Sequence, residues 1–371
     1  MSPSSLAQPT GKGEGAGALD LLRFLAAAFI VLYHFGSNAP VDLTAAYPML
    51  DRGWLATDFF IIVSGYVLGR AYGDSLDGLK THPLSFLTRR LMRIWPPHLI
   101  VLGGLAILLA VAGLLGIPSD SPERFQTSDL IYQALLIHAW GVTDQPSWNE
   151  PSWTLSALIV CYALFPLIWL LTRRVMGRGW ALILGFGLVI LAAWLSQRIL
   201  GTSLYNLAFH HGVVRALPFF ILGALLARFA QGRSVSSPVA LASCLAALGA
   251  VVAIQATPMS EFSALASIVA LATLVVGADN LGLRRTRAIR TLGNVSFALF
   301  LTHAVVGTVW FSGLDALQIR VGWWAWIGAL VVVLTAAGLF HLLIDKPIQT
   351  WLRGLMKRAP AKPSSPVAQP S

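Results

Sequence analysis

The sequence predicts an all-α fold: a polytopic membrane protein of about ten transmembrane helices. Three observations lead there. The 371 residues are 56% hydrophobic and only 11% charged, with a mean hydropathy of +0.71, whereas a soluble domain of this size needs far more charge on its surface. Apolar runs of near-spanning length recur almost to the end of the chain. The cations stand at the ends of those runs rather than on amphipathic faces, so the formal charge of +10 reads as membrane topology and not as a nucleic-acid footprint.

Spans are predicted over about 19–35, 53–69, 97–117, 153–171, 180–200, 213–230, 238–257, 262–278, 294–311 and 323–344. With the N-terminus inside, Arg52, Arg124, Arg198 and Arg320 fall outside and Arg215 lies within a span. All the rest of the 26 Lys and Arg are cytoplasmic. One missed span would have mixed the two sets, so this bias supports both the count and an orientation with both termini in the cytoplasm. Residues 1–17 are rich in Gly, Ser and Pro, and 359–371 in Pro, Ala and Ser. Disordered cytoplasmic tails are therefore predicted over 1–18 and 353–371, flanking a membrane domain over 19–352. The first apolar run carries an internal Arg and no A-x-A site follows it, so it is a permanent span rather than a signal peptide. Cys161 and Cys244 lie within apolar runs without a CxxC or His-rich partner. They read as small core hydrophobes, with neither a disulfide nor a metal site indicated.

The first span, LDLLRFLAAAFIVLYHF, keeps Asp20, Arg23 and His34. Arg23 and His34 are very nearly three turns apart, so they share a helical face about 16 Å long, with Arg23 near the cytoplasm. Either this face looks into a protein interior or wet cavity, or the two side chains snorkel to opposite interfaces. In the second span Asp58 wants a partner, and Ser64-Gly65 reads as a packing notch. Next, Arg89, Arg90 and Arg93 cluster at helical spacing, either as a topological anchor or as a site for polyvalent phosphate. Trp95 and Pro96-Pro97 are expected to end that helix and re-aim the chain.

Beyond the third span, DLIYQALLIHAW is too short to cross and reads as a re-entrant or interfacial helix. Trp148 and Trp153 fit an outer aromatic belt. His210, His211 and Arg215 stand at the outer end of the sixth span, as an interfacial girdle or a substrate contact, and Arg215 requires a partner or water. Ser296 and His303 share a face of the ninth span, with His303 near mid-membrane as interhelical glue or part of a polar site. The last span closes at Asp345-Lys346-Pro347.

Taken in order, RFLAAAFIVLYH, DFFIIVSGY, RRLMRIWP, PSWTLSALIVCYALFP, NVSFALFLTH and DKP resemble the acyltransferase type 3 family of integral membrane O-acyltransferases, from about Leu19 to Leu352. The resemblance implies transfer of an acyl group, usually acetyl, from cytoplasmic acyl-CoA to a hydroxyl of a glycan or other acceptor. It implies no permanently bound cofactor, acyl-CoA being the donor substrate. His34 would be the essential histidine and Arg23 its partner. Arg90 and Arg93, with Arg89, would hold acyl-CoA, and Ser64 matches the Ser-Gly motif. Where the family places a glutamate, this chain has Leu158; Glu150 and Asp58 are the nearby acids available to replace it.

On this reading His34 acts as a general base or as an acyl-accepting nucleophile. Ser64, His303 or Arg215 is a candidate to stabilise an oxyanion. Trp153, His303, Arg215 and Asp58 are the candidate acceptor-binding residues. The expected partners are acyl-CoA, the lipid bilayer, and a surface glycan, lipid-linked sugar or hydroxylated metabolite; the expected place is the inner (plasma) membrane. The alternative function is a carrier or channel without covalent chemistry, against which stands the lack of an internal repeat.

Overall fold

The computed structural model describes residues 16–117, 121–143, 145–173, 178–207 and 209–358. All regular structure among them is helical. We label the helices α1 Ala16–Gly36, α2 Leu55–Asp77, α3 Pro83–Leu114, α4 Thr127–Ala134, α5 Trp153–Thr172, α6 Arg178–Leu195, α7 Gly212–Ala230, α8 Ser237–Gln255, α9 Glu261–Asn280, α10 Arg287–Ala316, α11 Trp323–Phe340 and α12 Lys346–Arg358. Among the described residues, nine helical segments are long and apolar enough to cross a membrane. The second of the ten expected spans forms α2, which has the length but also carries Asp58, Arg70, Asp74 and Asp77. Helix α2 is tolerated because it is central, packed against α1, α5, α7 and α9. The tails expected over 1–18 and 353–371 lie largely outside the described residues, although α1 and α12 reach into them.

Between helices in lipid the hydrophobic effect contributes little, so close packing has to hold the bundle. The tightest crossing is that of α2 on α7. A Cβ on Gly65 would strike the carbonyl of Phe220, and one on Gly223 would strike the carbonyl of Ile62. The two backbones are thus in reciprocal contact through these glycines, and the packing reading of Ser64-Gly65 accounts for Gly65. Ser64 donates to the carbonyl of Phe60 one turn back, at 2.8 Å.

Ion pairs tie the helix ends where α1 begins, which we call the inner end after the side that the charge bias predicts to be cytoplasmic. Arg228 of α7 grips Asp77 of α2 through both guanidinium nitrogens at 2.6 and 3.0 Å. Arg70 and Tyr66 both reach Asp279 of α9, and Arg285 joins Asp20.

The prolines at 96 and 97 do not end a helix. Helix α3 runs unbroken through them. Proline has no N–H to give the carbonyl four residues back, so Pro96 and Pro97 free the carbonyls of Met92 and Arg93. Gln349 of α12 donates to both of them, at 3.0 and 3.3 Å. The expected outer helix is also shorter than DLIYQALLIHAW: it stops at Ala134, and the chain turns back through a buried polar loop.

Candidate active site

His34 stands on the last turn of α1, half-buried, between two cavities at the outer end of the bundle. One, of about 260 Å³, is mixed in character, bordered by Asn38, Arg124, Glu150 and Thr308 together with Phe35, Phe125 and Phe311. The other, of about 270 Å³, is largely aromatic, with Tyr33, Trp54, Trp153, Tyr205 and Phe300 in its wall. His34, Glu150 and Pro151 belong to both. The imidazole of His303, on α10, faces that of His34 with ring centroids 5.1 Å apart.

The outer loop sets the position of Glu150. Ser152 donates to Gln133 at 2.8 Å and stands 3.2 Å from Nε2 of His138. Gln133 donates to the carbonyl of Ser147, and Asn149 donates across to the carbonyl of Leu301 on α10. His98 of α3 meets the carbonyl of Gln133 at 2.8 Å. Burial pushes the His138 imidazole down to about 3, so it serves this network as a neutral ring. Each member is at least nine-tenths buried, which fixes Asn149 and Ser152, on either side of the Glu150-Pro151 step. Its carboxylate accepts from Arg124 at 2.7 Å, so the first cavity contains a matched pair of charges beside His34.

Asp58 and Arg215 were expected as separate polar contacts for an acceptor; the structure makes each the other's partner. Arg215 donates from Nε and Nη2 to the two Asp58 oxygens, both at 3.0 Å, and from Nη1 to the carbonyl of Leu207 at 3.1 Å. Trp54 and Trp153 lie over its guanidinium. This bidentate geometry satisfies two charges that would be very expensive alone in the membrane. Arg215 and Trp153 still line the aromatic cavity, whereas Asp58 does not.

Arg23 stands far from His34, as their spacing along α1 requires. It points to the inner end of α1, 3.8 Å from Asp20, roughly three turns from His34. Arg93, Tyr162 and Arg285 are within electrostatic reach of it. Tyr162, of α5, is also within reach of Arg90 and Ser64, so Arg23, Ser64 and Arg90 gather around it. Arg90 donates to the Tyr72 hydroxyl at 2.8 Å and lies over the Phe86 ring. Arg93 pairs with Asp345 and lies over Phe297. Arg89 faces outward and is exposed. The three arginines therefore do not share one face: two turn into the bundle and one away.

Leu158 sits in the apolar core at 5% exposure, with no polar setting for a carboxylate. Glu150 is the acid beside His34. Arg124, Tyr162, Asp345 and Gln349 gain their places from tertiary structure. The one sequence sign for Arg124 was its place among the few cations on the outer side.

Residues 17–342 match the family described as an acyltransferase domain. The chain is 26% identical to Acyltransferase MdmB of Streptomyces mycarofaciens over 343 residues, covering 85% of each protein. It is 34% identical over 111 residues to Protein 2 in picA locus of Rhizobium radiobacter, covering 30% of this chain and 54% of that one. It is 33% identical over 97 residues to the Putative membrane-bound transacylase BcsY of Komagataeibacter xylinus, covering 26% of this chain and 20% of that one. No solved structure matches. With the match running across nearly the whole helical bundle, the chain belongs to the acyltransferase type 3 family and is a multi-pass membrane acyltransferase.

Proposed function

We propose that this protein resides in the inner (plasma) membrane with both termini cytoplasmic. There it moves an acyl group, in the simplest case acetyl, from cytoplasmic acyl-CoA to a hydroxyl of a surface glycan, a lipid-linked sugar or a hydroxylated metabolite. The observation that carries this reading is the division of polar groups along α1. His34 lies between two outer cavities, while arginines gather at the other end of the same helix.

Each end suits one substrate. Arg23, Arg90 and Arg93 offer guanidinium forks to the phosphates of CoA, with Arg89 at the entrance. The pantetheine arm then has a span of roughly 16 Å to cover before its thioester meets His34. Neutral His34 takes the proton of the acceptor hydroxyl, the oxygen attacks the thioester carbonyl, and the C–S bond breaks. The thiolate takes the proton back from the imidazolium. A positioned base of this kind is worth about 10²–10⁴-fold in rate. Trp153 and its aromatic neighbours supply a wall for the body of the acceptor.

The test compares wild type with His34→Ala at matched membrane levels in cells lacking their own copy, by mass spectrometry of ester-linked acyl groups on envelope glycans and secreted metabolites. An ester present with wild type and lost in the variant is the expected result, and it identifies the acyl group and acceptor together. The same ester in both overturns the role of His34. No new ester in either removes support for the acceptors named.

A further inference from the structure

The pair of imidazoles between the last turn of α1 and the middle of α10 has a donor–acceptor arrangement that fixes one ring. Nδ1 of His303 lies 2.8 Å from the carbonyl of Phe300 and 3.2 Å from that of Leu299. Carbonyls only accept, so Nδ1 bears the proton, and Nε2 is left as an acceptor. That Nε2 is buried, in a residue at 0% exposure, and has no hydrogen-bond partner among the described residues. Its aromatic neighbours are Phe300 and His34. Phenylalanine has no N–H to give, whereas a neutral imidazole has one. The charged groups nearest His34, Arg124 and Glu150, are engaged with each other.

We propose that His303 is the positioning residue for His34: its Nε2 accepts the ring N–H of His34, so that the other His34 nitrogen faces the acceptor hydroxyl with a free lone pair. This rests on the reading of His34 as the base. The rings are 5.1 Å apart between centroids and tilted by 47°; catalytic hydrogen bonds of this sort commonly tighten only when substrate is bound. In the reaction, the hydroxyl proton moves to the free nitrogen of His34 as the C–O bond forms. The imidazolium keeps its other N–H on His303, and the proton returns to the departing CoA sulfur as the C–S bond breaks. His303 neither gains nor loses a proton.

The experiment replaces His303 by two side chains of similar length, only one of which offers an oxygen near the place of Nε2. The initial rate of CoA release from acetyl-CoA is followed in membranes containing the native acceptor. His303→Met is expected to lower kcat about 10²-fold or more, with the KM for acetyl-CoA unchanged. His303→Gln is expected to recover at least about tenfold of that loss, a factor typical of one well-placed hydrogen bond. A packing role gives the reverse order, because thioether fills an apolar slot better than amide; Met at or above Gln overturns the proposal. So does a rise in KM at unchanged kcat. Should His303→Met fail to accumulate, His303→Asn takes its place: its shorter amide mimics Nδ1, and activity equal to that of His303→Gln counts against an acceptor at Nε2. His34→Ala in the same membranes separates the two ideas. If it retains wild-type activity, the proposed function fails; if it is inactive while His303→Met is fully active, only the role of His303 fails.

Discussion

Asp58 and Arg215 show what one buried charge demands of the chain around it. Each was legible as an anomaly, an ionisable group inside an apolar run. That they answer each other across a sequence separation of 157 residues was not, because pairing is decided by the crossing of α2 and α7. Removing one partner leaves the other charged and buried, at a cost of about 3–5 kcal/mol, while removing both is far milder. Asp58→Asn or Arg215→Met alone should therefore lower the melting temperature of the detergent-solubilised protein sharply. The double variant should recover most of that loss, measured by the same thermal scan.

Leu158 and Glu150 make the complementary case. The departure from the family pattern was visible in sequence, but two acids were available to replace the missing one. The fold separates them, since Asp58 is committed to Arg215 and Glu150 stands between both cavities beside His34. Glu150→Gln is expected to reduce acyl transfer by about tenfold or more, by leaving Arg124 as an unbalanced charge beside His34. Leu158→Glu should not compensate for it. A carboxylate placed among Leu155, Tyr162 and other buried groups of α5 lowers stability instead. Activity of each variant, normalised to folded protein in the membrane, checks both statements.

At the scale of helices, hydropathy and charge bias revealed the spans well, because the bilayer imposes length and orientation directly. They misplaced the helix through Pro96 and Pro97, for a definite reason. The rule that proline ends a helix assumes that the freed carbonyls stay unpaired. Here Gln349, from more than 250 residues later, pairs with them. Gln349→Ala should then cost about 1–3 kcal/mol for the orphaned carbonyls. The cost should shrink in a Pro96→Ala, Pro97→Ala background, where the main-chain N–H groups are restored. A double-mutant cycle on melting temperature would find no coupling if the side chain merely packs. The glycine crossing is a second element-scale device. Gly65→Ala and Gly223→Ala push a methyl into backbone, and both should prevent stable assembly. Gly103→Ala, whose added methyl meets nothing within 4 Å, should be neutral or slightly stabilising in the same assay.

At the scale of the whole molecule, the chain separates an arginine-rich inner end from a histidine-bearing outer end, and that separation has a kinetic consequence on the proposed function. The sequence contained its outline, in that Arg23 and His34 share a face. The family resemblance makes the two residues partners, and α1 holds them roughly three turns apart, as their spacing predicts. If the inner arginines bind the phosphates of CoA, their contribution belongs to a part of the donor that does not react. Such remote binding energy is felt in KM, or in kcat/KM, and disappears for a donor lacking the group bound. One charge-assisted hydrogen bond is worth about 1.5–3 kcal/mol, so Arg90→Gln should raise the KM for acetyl-CoA by about 10–100-fold. With S-acetylpantetheine, which reaches towards His34 but carries no phosphate, the same variant should behave like wild type. Arg93→Gln should affect both donors, because among the described residues it also leaves Asp345 with only His341 as a side-chain partner and disturbs the inner end itself. His34→Ala should abolish turnover of both donors equally. Equal losses for Arg90→Gln with the two donors would place Arg90 in the framework of the bundle, through Tyr72, and remove it from the donor site.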